Sequence, residues 1–542
     1  MHRYCHSIAC LCLLTSLTFA HEDHPEPPAK IDAAEQHKPT VLPDRIVLTW
    51  SGDPAHTQDV TWRTSTEVHH SFVEFAVATK GPYFVTNAVR IEATTAPFES
   101  DLGTCHLHTA QMKALAPATK YAYRVGDGNN WSEWFHFRTA STSTEPFTFI
   151  YFGDAQNDVR SMWSRIIREA QSDAPKAAFM LHAGDLVNVA NRDSEWGEWF
   201  GGGHWLNAMM PSVATPGNHE YGRETIEADG KETTIRKLSG HWKPYFSFPM
   251  NGPEGLKESV YWMDFQGTRI ISLNSNEQHE LQAKWVEQVL ANNPNRWTIV
   301  TFHHPMYSSA KGRDNVGLRQ LWKPIFDKYR VDLVLQGHDH SYARTGLALP
   351  VTAENLETGV NVKEGPTVYV VSVSGPKQYD VGDRDFFSRS ASGAQLYQII
   401  EVGPDSLHYE ARVANGELYD EFVLQKQEGE FNILEDRVPD TPEARKPAVV
   451  RVAPVAVAES NADSSTKAAA SNGQSSPGPF SVEGIFASRD TNKDGKLSGE
   501  EIPERMRSRV ASVDADGDGA VSIKELQASM QRRREAQGAG SR

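Results

Sequence analysis

The chain has 542 residues, too many for one ordinary domain, so two to four folded units are expected. At 39% hydrophobic and 23% charged residues, its composition is that of a soluble globular protein. A net charge of −16 argues against a nucleic-acid partner held by a basic surface.

Residues 1–20 have the form of a secretory leader. A basic start with His2, Arg3 and His6 precedes an apolar run from 8 to 19, and the small Ala20 suits cleavage. The run is too short to span a bilayer, so no membrane span is expected. The mature chain is therefore read as secreted, periplasmic or held at the cell surface. Three of the four cysteines fall inside the leader, which leaves Cys105 alone and no intrachain disulfide. Export without disulfides points to a bacterial source.

After a polar, Pro-rich lead-in, residues 41–140 alternate with period two. Ile46, Leu48 and Trp50 form one such series; Val73, Phe75 and Val77 another; Tyr121, Tyr123 and Val125 a third. Short alternating segments broken by Gly, Pro, Asn and Asp predict an antiparallel β-sandwich with a supporting role. Residues 145–427 change character. Apolar runs at 147–152, 177–181, 269–273, 297–302, 331–335 and 368–373 read as buried strands. Helical stripes lie between them: Val159, Met162, Trp163, Ile166, Ile167 and Ala170, then Leu318, Leu321, Trp322, Ile325, Phe326 and Tyr329. The alternation predicts an α/β domain with helix-covered sheets. Residues 428–479, rich in Ala, Ser, Pro and Asn, read as a linker, and 480–535 as a small all-α unit.

Five motifs stand at predicted strand ends: Gly153-Asp154-Ala155-Gln156, Gly184-Asp185-Leu186-Val187-Asn188, Gly217-Asn218-His219-Glu220, Val300-Thr301-Phe302-His303-His304 and Gly337-His338-Asp339-His340. Ligands of open α/β sheets gather beyond the carboxyl ends of strands. A glycine there lets the chain turn and brings the next side chain to the sheet edge. Adjacent cations need a shared carboxylate with further oxygen and imidazole donors, a set that suits iron, zinc or manganese. Without thiolates it does not read as a structural zinc site. A lone Gly-Asp is an ordinary turn. Gly-His-Asp-His is harder to explain by packing, because three titratable groups in four residues are costly to bury unpaired.

In order and spacing these motifs resemble the calcineurin-like metallophosphoesterase superfamily. With the preceding β-sandwich and the Val-x-x-His spacing, the chain is similar to purple acid phosphatases from about 41 to 427. Tyr245-Phe246-Ser247-Phe248-Pro249 and Val260-Tyr261-Trp262 also resemble that family's segment before its central strand. The resemblance implies a fibronectin III-like sandwich followed by a βαβαβ catalytic domain. It makes Asp185 a bridge between two metals, with Asn218, His303 and His338 completing one site and Asp154 and His340 in the other. It places His219 near substrate as hydrogen-bond donor or general acid, with Glu220 available to orient it.

Two departures stand out. Purple enzymes carry a coloured phenolate three residues after the second-motif Asp, where this chain has Asn188. Other superfamily members have a His two residues after the first Asp, where this chain has Gln156. Either amide is a candidate to complete the first metal site, and no purple colour is expected. The plant enzymes' His pair after the Val-x-x-His motif is also missing. His304, Lys311 and Arg313 are the candidates for contacting phosphate instead.

Near the C-terminus, Asp490, Asn492, Asp494, Ser498 and Glu501 stand at positions 1, 3, 5, 9 and 12 of a loop with Gly495 at position 6. Asp514, Asp516, Asp518, Ser522 and Glu525 repeat the spacing around Gly519. Both loops resemble EF-hands, which implies calcium held by these oxygens and by the main chain at Lys496 and Ala520. A compact pair of this kind suits docking to a partner more than signalling.

The expected function is a secreted two-metal phosphatase acting on small phosphomonoesters through activated water. A phosphodiesterase or pyrophosphatase using the same site is an alternative. A non-catalytic, calcium-dependent docking protein is another.

Overall fold

The computed structural model describes residues 31–228, 231–348, 361–362, 365–382, 386–445, 496–497, 520–522 and 525. The expected leader and most of the expected 480–535 unit lie outside these residues. The chain divides into two units, Met1–Val450 and Arg451–Arg542. Among the described residues no helix is long and apolar enough to cross a membrane.

The N-terminal sandwich is built as its period-two pattern requires. One antiparallel sheet orders Asp44–Thr49, Gln58–Thr64, Gly103–Met112 and Thr94–Ser100; the other orders Val89–Glu92, Phe72–Val77, Lys120–Gly126 and Phe135–Arg138. Ile46, Leu48, Trp62, Val73, Phe75, Tyr121, Tyr123 and Val125 fill the space between them. The expected inward series Ile46-Leu48-Trp50 breaks at Trp50. The first strand ends at Thr49, and the Trp50 ring packs 6.0 Å from Phe179 and 5.6 Å from Phe265, in the following domain. Val47, Phe98, Cys105 and Leu107 share that second core. One sheet of the sandwich is thus buried on both faces, and the support role has a physical basis in shared apolar burial.

A buried ion pair joins the same two elements. Arg45 donates from Nη1 and Nη2 to the two carboxylate oxygens of Asp193 at 2.6 and 2.8 Å. Burial opposes charge on Asp193, yet hydrogen bonds from His241 and Arg45 hold it well below the usual carboxylate range. Removing one member of such a pair strands a buried charge. Asp193→Ala is expected to cost about 3–5 kcal/mol, read from the urea midpoint. A midpoint within error of the parent would show that the pair contributes nothing.

The region after the sandwich is two sheets packed face to face with helices outside. In the first, Ser212–Ala214, Met180–His182 and Phe147–Phe152 run parallel and continue through antiparallel Leu396–Val402, Ser406–Val413, Leu418–Gln425 and Ile433–Asp436. In the second, Thr268–Ser272, Trp297–Thr301, Leu333–Gln336 and Thr367–Val371 run parallel. Phe149, Ile270, Ile299, Leu335 and Val370 meet in the shared core. Val286, Leu290, Trp322 and Phe326, from helices His279–Ala291 and Val316–Lys328, cover the outer face of the second sheet. The expected linker begins too early. Strand Ile433–Asp436 pairs with Leu418–Gln425 as a sheet edge. Its exposed, charged residues (Glu435, Asp436) hide the strand in the sequence.

In the second unit, Lys496–Leu497 pairs antiparallel with Val521–Ser522, Leu497 opposite Val521. This short ladder joins position 8 of one loop to position 8 of the other. Glu525 accepts from the Ser522 backbone N–H and hydroxyl, both at 2.8 Å. The remaining calcium-ligand candidates, Asp490, Asn492, Asp494, Ser498, Glu501, Asp514, Asp516 and Asp518, lie outside the described residues.

Candidate metal centre

Parallel strands from both sheets end at one place, and each delivers a donor. Asp154 follows Phe147–Phe152, Asp185 follows Met180–His182 and Asn218 follows Ser212–Ala214. His303 follows Trp297–Thr301, and His338 and His340 follow Leu333–Gln336. The loops approach so closely that side chains on two glycines are excluded. A Cβ on Gly217 would stand 2.2 Å from Asp185 Oδ1, and one on Gly337 would stand 2.2 Å from Asp154 Oδ1.

The donors fall into two groups that share Asp185. In one, His303 Nε2 lies 3.2 Å from Asp185 Oδ2, 3.1 Å from Asn218 Oδ1 and 3.1 Å from His338 Nδ1. In the other, His340 Nε2 lies 3.2 Å from Asp154 Oδ2 and 2.9 Å from Gln156 Nε2, which is 3.0 Å from Asp185 Oδ2. Donors around one ion at about 2.0–2.2 Å stand about 3 Å apart, so both groups have the spacing of a coordination shell. Asp154 Oδ2 and Gln156 Oε1 are buried without a hydrogen-bond partner among the described residues. The imidazoles are oriented from behind: His303 Nδ1 donates to the Ala183 carbonyl at 2.9 Å and His340 Nδ1 to that of Lys377 at 3.2 Å. Each ring thereby presents Nε2 to the donor group.

The electrostatics have one demand. Burial, with the Asp185 charge adding and His303 opposing, pushes Asp154 up to about 8. Burial also opposes ionisation of Asp185, yet His303 and His219 hold it well below the carboxylate range. Despite its own burial, His303 is raised to about 9 by Asp185 and Asp154. Two buried carboxylates draw positive charge to themselves, and bound cations meet that demand while displacing a proton. The residues fit a pair of metal ions.

Several roles differ from expectation. Glu220 does not orient His219. Its buried carboxylate accepts from the backbone N–H groups of Asp185 (2.8 Å), Leu186 (2.8 Å), Val187 (3.3 Å) and Gly217 (2.7 Å). It thus holds Asp185 in a left-handed conformation, φ 51°. His219 is oriented by Asn188, through the backbone carbonyl that accepts from Nδ1 at 2.5 Å. The Asn188 amide side chain hydrogen-bonds to no donor of the site among the described residues, so of the two candidate amides Gln156 alone joins a donor group.

His304 is one step removed: its Nδ1 lies 2.8 Å from Ser275 Oγ and its ring 4.2 Å from that of His338. Burial and the His303 charge push it down to about 3, so it stays neutral. Lys311 is exposed, and among the described residues its hydrogen bond is from its backbone N–H to the Asp380 carbonyl. Arg313 does reach the site, with Nη2 2.6 Å from His338 Nε2 and Nη1 3.2 Å from Asp339 Oδ1.

Of three further neighbours, Asp339 stood in the Gly-His-Asp-His motif without an assigned role, and Tyr379 and Arg236 carried no sequence signal of their own. Asp339 also accepts from Ser308 and Ala310, tying the loop after His303 to the Gly-His-Asp-His turn. The Tyr379 ring packs 4.7 Å from His340. Arg236, from the hairpin Tyr221–Ala228 and Lys231–Leu238, donates to the Asn218 carbonyl at 2.5 Å.

Beneath the Asp185 turn, His182 is packed among Phe152, Trp163 and Trp199. Both its ring nitrogens lack a hydrogen-bond partner among the described residues, and burial pushes it down to about 3. Its folded pKa lies below the unfolded value near 6.5, so the associated stability is complete above about 6.5 and falls with pH toward 3. At pH 5 the loss is about 2 kcal/mol relative to pH 7. His182→Leu is expected to remove that slope, seen as a smaller drop in Tm between pH 7 and 5. An unchanged drop would assign the acid sensitivity elsewhere.

The fold and donor set define a metal-dependent phosphoesterase. Residues 43–139 match the purple acid phosphatase N-terminal domain, 147–342 the calcineurin-like phosphoesterase domain and 511–530 an EF hand. Human acid phosphatase type 7 is 29% identical over 56% of this chain and 71% of its own length. The Fe(3+)-Zn(2+) purple acid phosphatase 12 of Arabidopsis thaliana is 26% identical over 48% of this chain and 59% of its own. The structure of a purple acid phosphatase from yellow lupin seeds superposes with a TM-score of 0.58 at 20% identity, covering 71% of this chain and 75% of that one. Residues 147–342 thus match a calcineurin-like phosphoesterase domain, the sandwich before them matches that of purple acid phosphatases, and the donor groups are those of a dinuclear metal phosphatase.

Proposed function

We propose that the chain is an exported phosphatase that hydrolyses small phosphomonoesters with water as nucleophile. The observation that carries this reading is the pair of donor groups sharing one oxygen, Asp185 Oδ2. Asp185, Asn218, His303 and His338 would hold one ion, and Asp154, Asp185 and His340 the other. When bound, the pair polarises phosphoryl oxygens and lowers the pKa of water. With Nδ1 committed to the Asn188 carbonyl, His219 has Nε2 left to give a proton to the departing oxygen. Arg313, beside His338, adds positive charge where phosphate binds. The human and plant relatives, named as phosphatases, support a monoester substrate. Export rests on the leader-like residues 1–20, and calcium at the two C-terminal loops rests on their spacing.

The test compares p-nitrophenyl phosphate, its bis-ester and inorganic pyrophosphate. The monoester is expected to give the highest kcat/KM, and His219→Ala to lower kcat roughly 10²–10⁴-fold. Direct attack by water requires inversion at a chiral phosphorus. Preference for the bis-ester or pyrophosphate would move the assignment to those substrates, and retention of configuration would exclude direct attack.

A further inference from the structure

We infer that the Gln156 amide is a ligand of the first metal ion and that the centre is built for two divalent cations. This rests on the dinuclear reading above and extends it to the charge of the pair. Gln156 is fully buried, and its Nε2 sits between Asp185 Oδ2 and His340 Nε2 at 3.0 and 2.9 Å. The opposite end of the amide, Oε1, is buried with no hydrogen-bond partner among the described residues. The two ends of an amide have nearly the same shape, so a half-turn brings the oxygen between Asp185 and His340. Asp154 Oδ2, also without a hydrogen-bond partner among the described residues, lies 3.2 Å from the same His340 Nε2. Four donors then surround one point.

The charge of the donor set follows. Among the described residues Asp154 and Asp185 are its anionic members; imidazoles and the amides of Asn218 and Gln156 ligate as neutral groups. Glu220 lies close, but its carboxylate is committed to four backbone N–H groups. Two charges of −1 set against two divalent ions leave +2 before any solvent or substrate oxygen binds. A trivalent ion raises the load without adding an anionic oxygen, the donor type that hard trivalent iron favours. The pairing therefore departs from the Fe(3+)-Zn(2+) pair named for the Arabidopsis relative. A rival donor is Tyr379, whose ring packs 4.7 Å from that of His340. As a phenolate bound to ferric iron it would absorb visible light, so colour separates the two accounts.

The experiment measures metal content, oxidation state by electron paramagnetic resonance and the visible spectrum of the full-length protein, alongside Gln156→Leu and Gln156→Glu. The parent is expected to hold two divalent transition ions, show no ferric signal and remain colourless after exposure to ferric iron. Gln156→Leu is expected to retain one ion instead of two, its affinity for the other lowered on the order of 100-fold. Gln156→Glu, nearly isosteric and so a control for folding, is expected to keep two ions and gain retention of ferric iron. A coloured parent holding one ferric ion per chain would overturn the inference, as would two ions bound to Gln156→Leu at parental affinity. A parent with two divalent ions but no turnover of any phosphate ester would leave this inference standing and sink the phosphatase reading.

Discussion

Asp185→Asn is expected to lower kcat/KM for a phosphomonoester by roughly 10³-fold or more, and to reduce the bound transition metal below one ion per chain. The two side chains have the same shape, so the loss isolates chemistry from packing. Asp185 Oδ1 accepts from the His219 backbone N–H at 2.8 Å, while Oδ2 faces His303 and Gln156. An asparagine that keeps the first bond turns its NH₂ toward both donor groups. The shared anionic oxygen is then replaced by a donor that repels cations, and neither group keeps its charge balance. Metal content by elemental analysis and turnover of p-nitrophenyl phosphate are the two readouts. Parental metal content with parental turnover would mean that Asp185 does not bridge.

The second large effect belongs to Glu220, which touches no donor atom. Glu220→Ala leaves the N–H groups of Asp185, Leu186, Val187 and Gly217 without their acceptor in a buried turn. Hydrogen bonds to a charged acceptor are each worth about 1.5–3 kcal/mol net. Water entering the space recovers part of this, so a loss of about 3–5 kcal/mol in unfolding free energy is expected. Asp185, freed from its left-handed conformation, should relax toward an ordinary backbone region and move Oδ2 off the shared position. Metal content and turnover then fall together with the urea midpoint. A variant stable to within about 0.5 kcal/mol, with full metal content, would show that the turn holds itself.

The site was legible because its chemistry is written locally. Asp154, Asp185, Asn218, His303, His338 and His340 all follow an apolar strand, four of the five motifs with a glycine at the bend, and a parallel sheet brings such ends together whatever the intervening sequence. What the sequence could not display is which side chains serve the backbone. Glu220 looks like a partner for the adjacent His219, yet it acts on a turn more than thirty residues earlier, and the His219 ring is held by a main-chain carbonyl that any residue at 188 would provide. The sandwich itself was readable from alternation. The burial of Asp44–Thr49 on both faces was not, since Val47 and Trp50 are compatible with either one core or two. Hairpin Tyr221–Ala228/Lys231–Leu238 and edge strand Ile433–Asp436 were missed because exposed strands need little apolar content. Gln156 was legible as a departure from the family pattern. The burial of its oxygen, without a hydrogen-bond partner among the described residues, is what supports the role proposed for it.

The central claim is a centre that works as a pair through one shared carboxylate. The most direct measurement is titration of zinc or manganese into metal-stripped full-length protein, with turnover of p-nitrophenyl phosphate followed at each addition. The account predicts little turnover up to one equivalent and a rise to the maximum as the second binds. Full activity at one equivalent, or in the stripped protein, would contradict it.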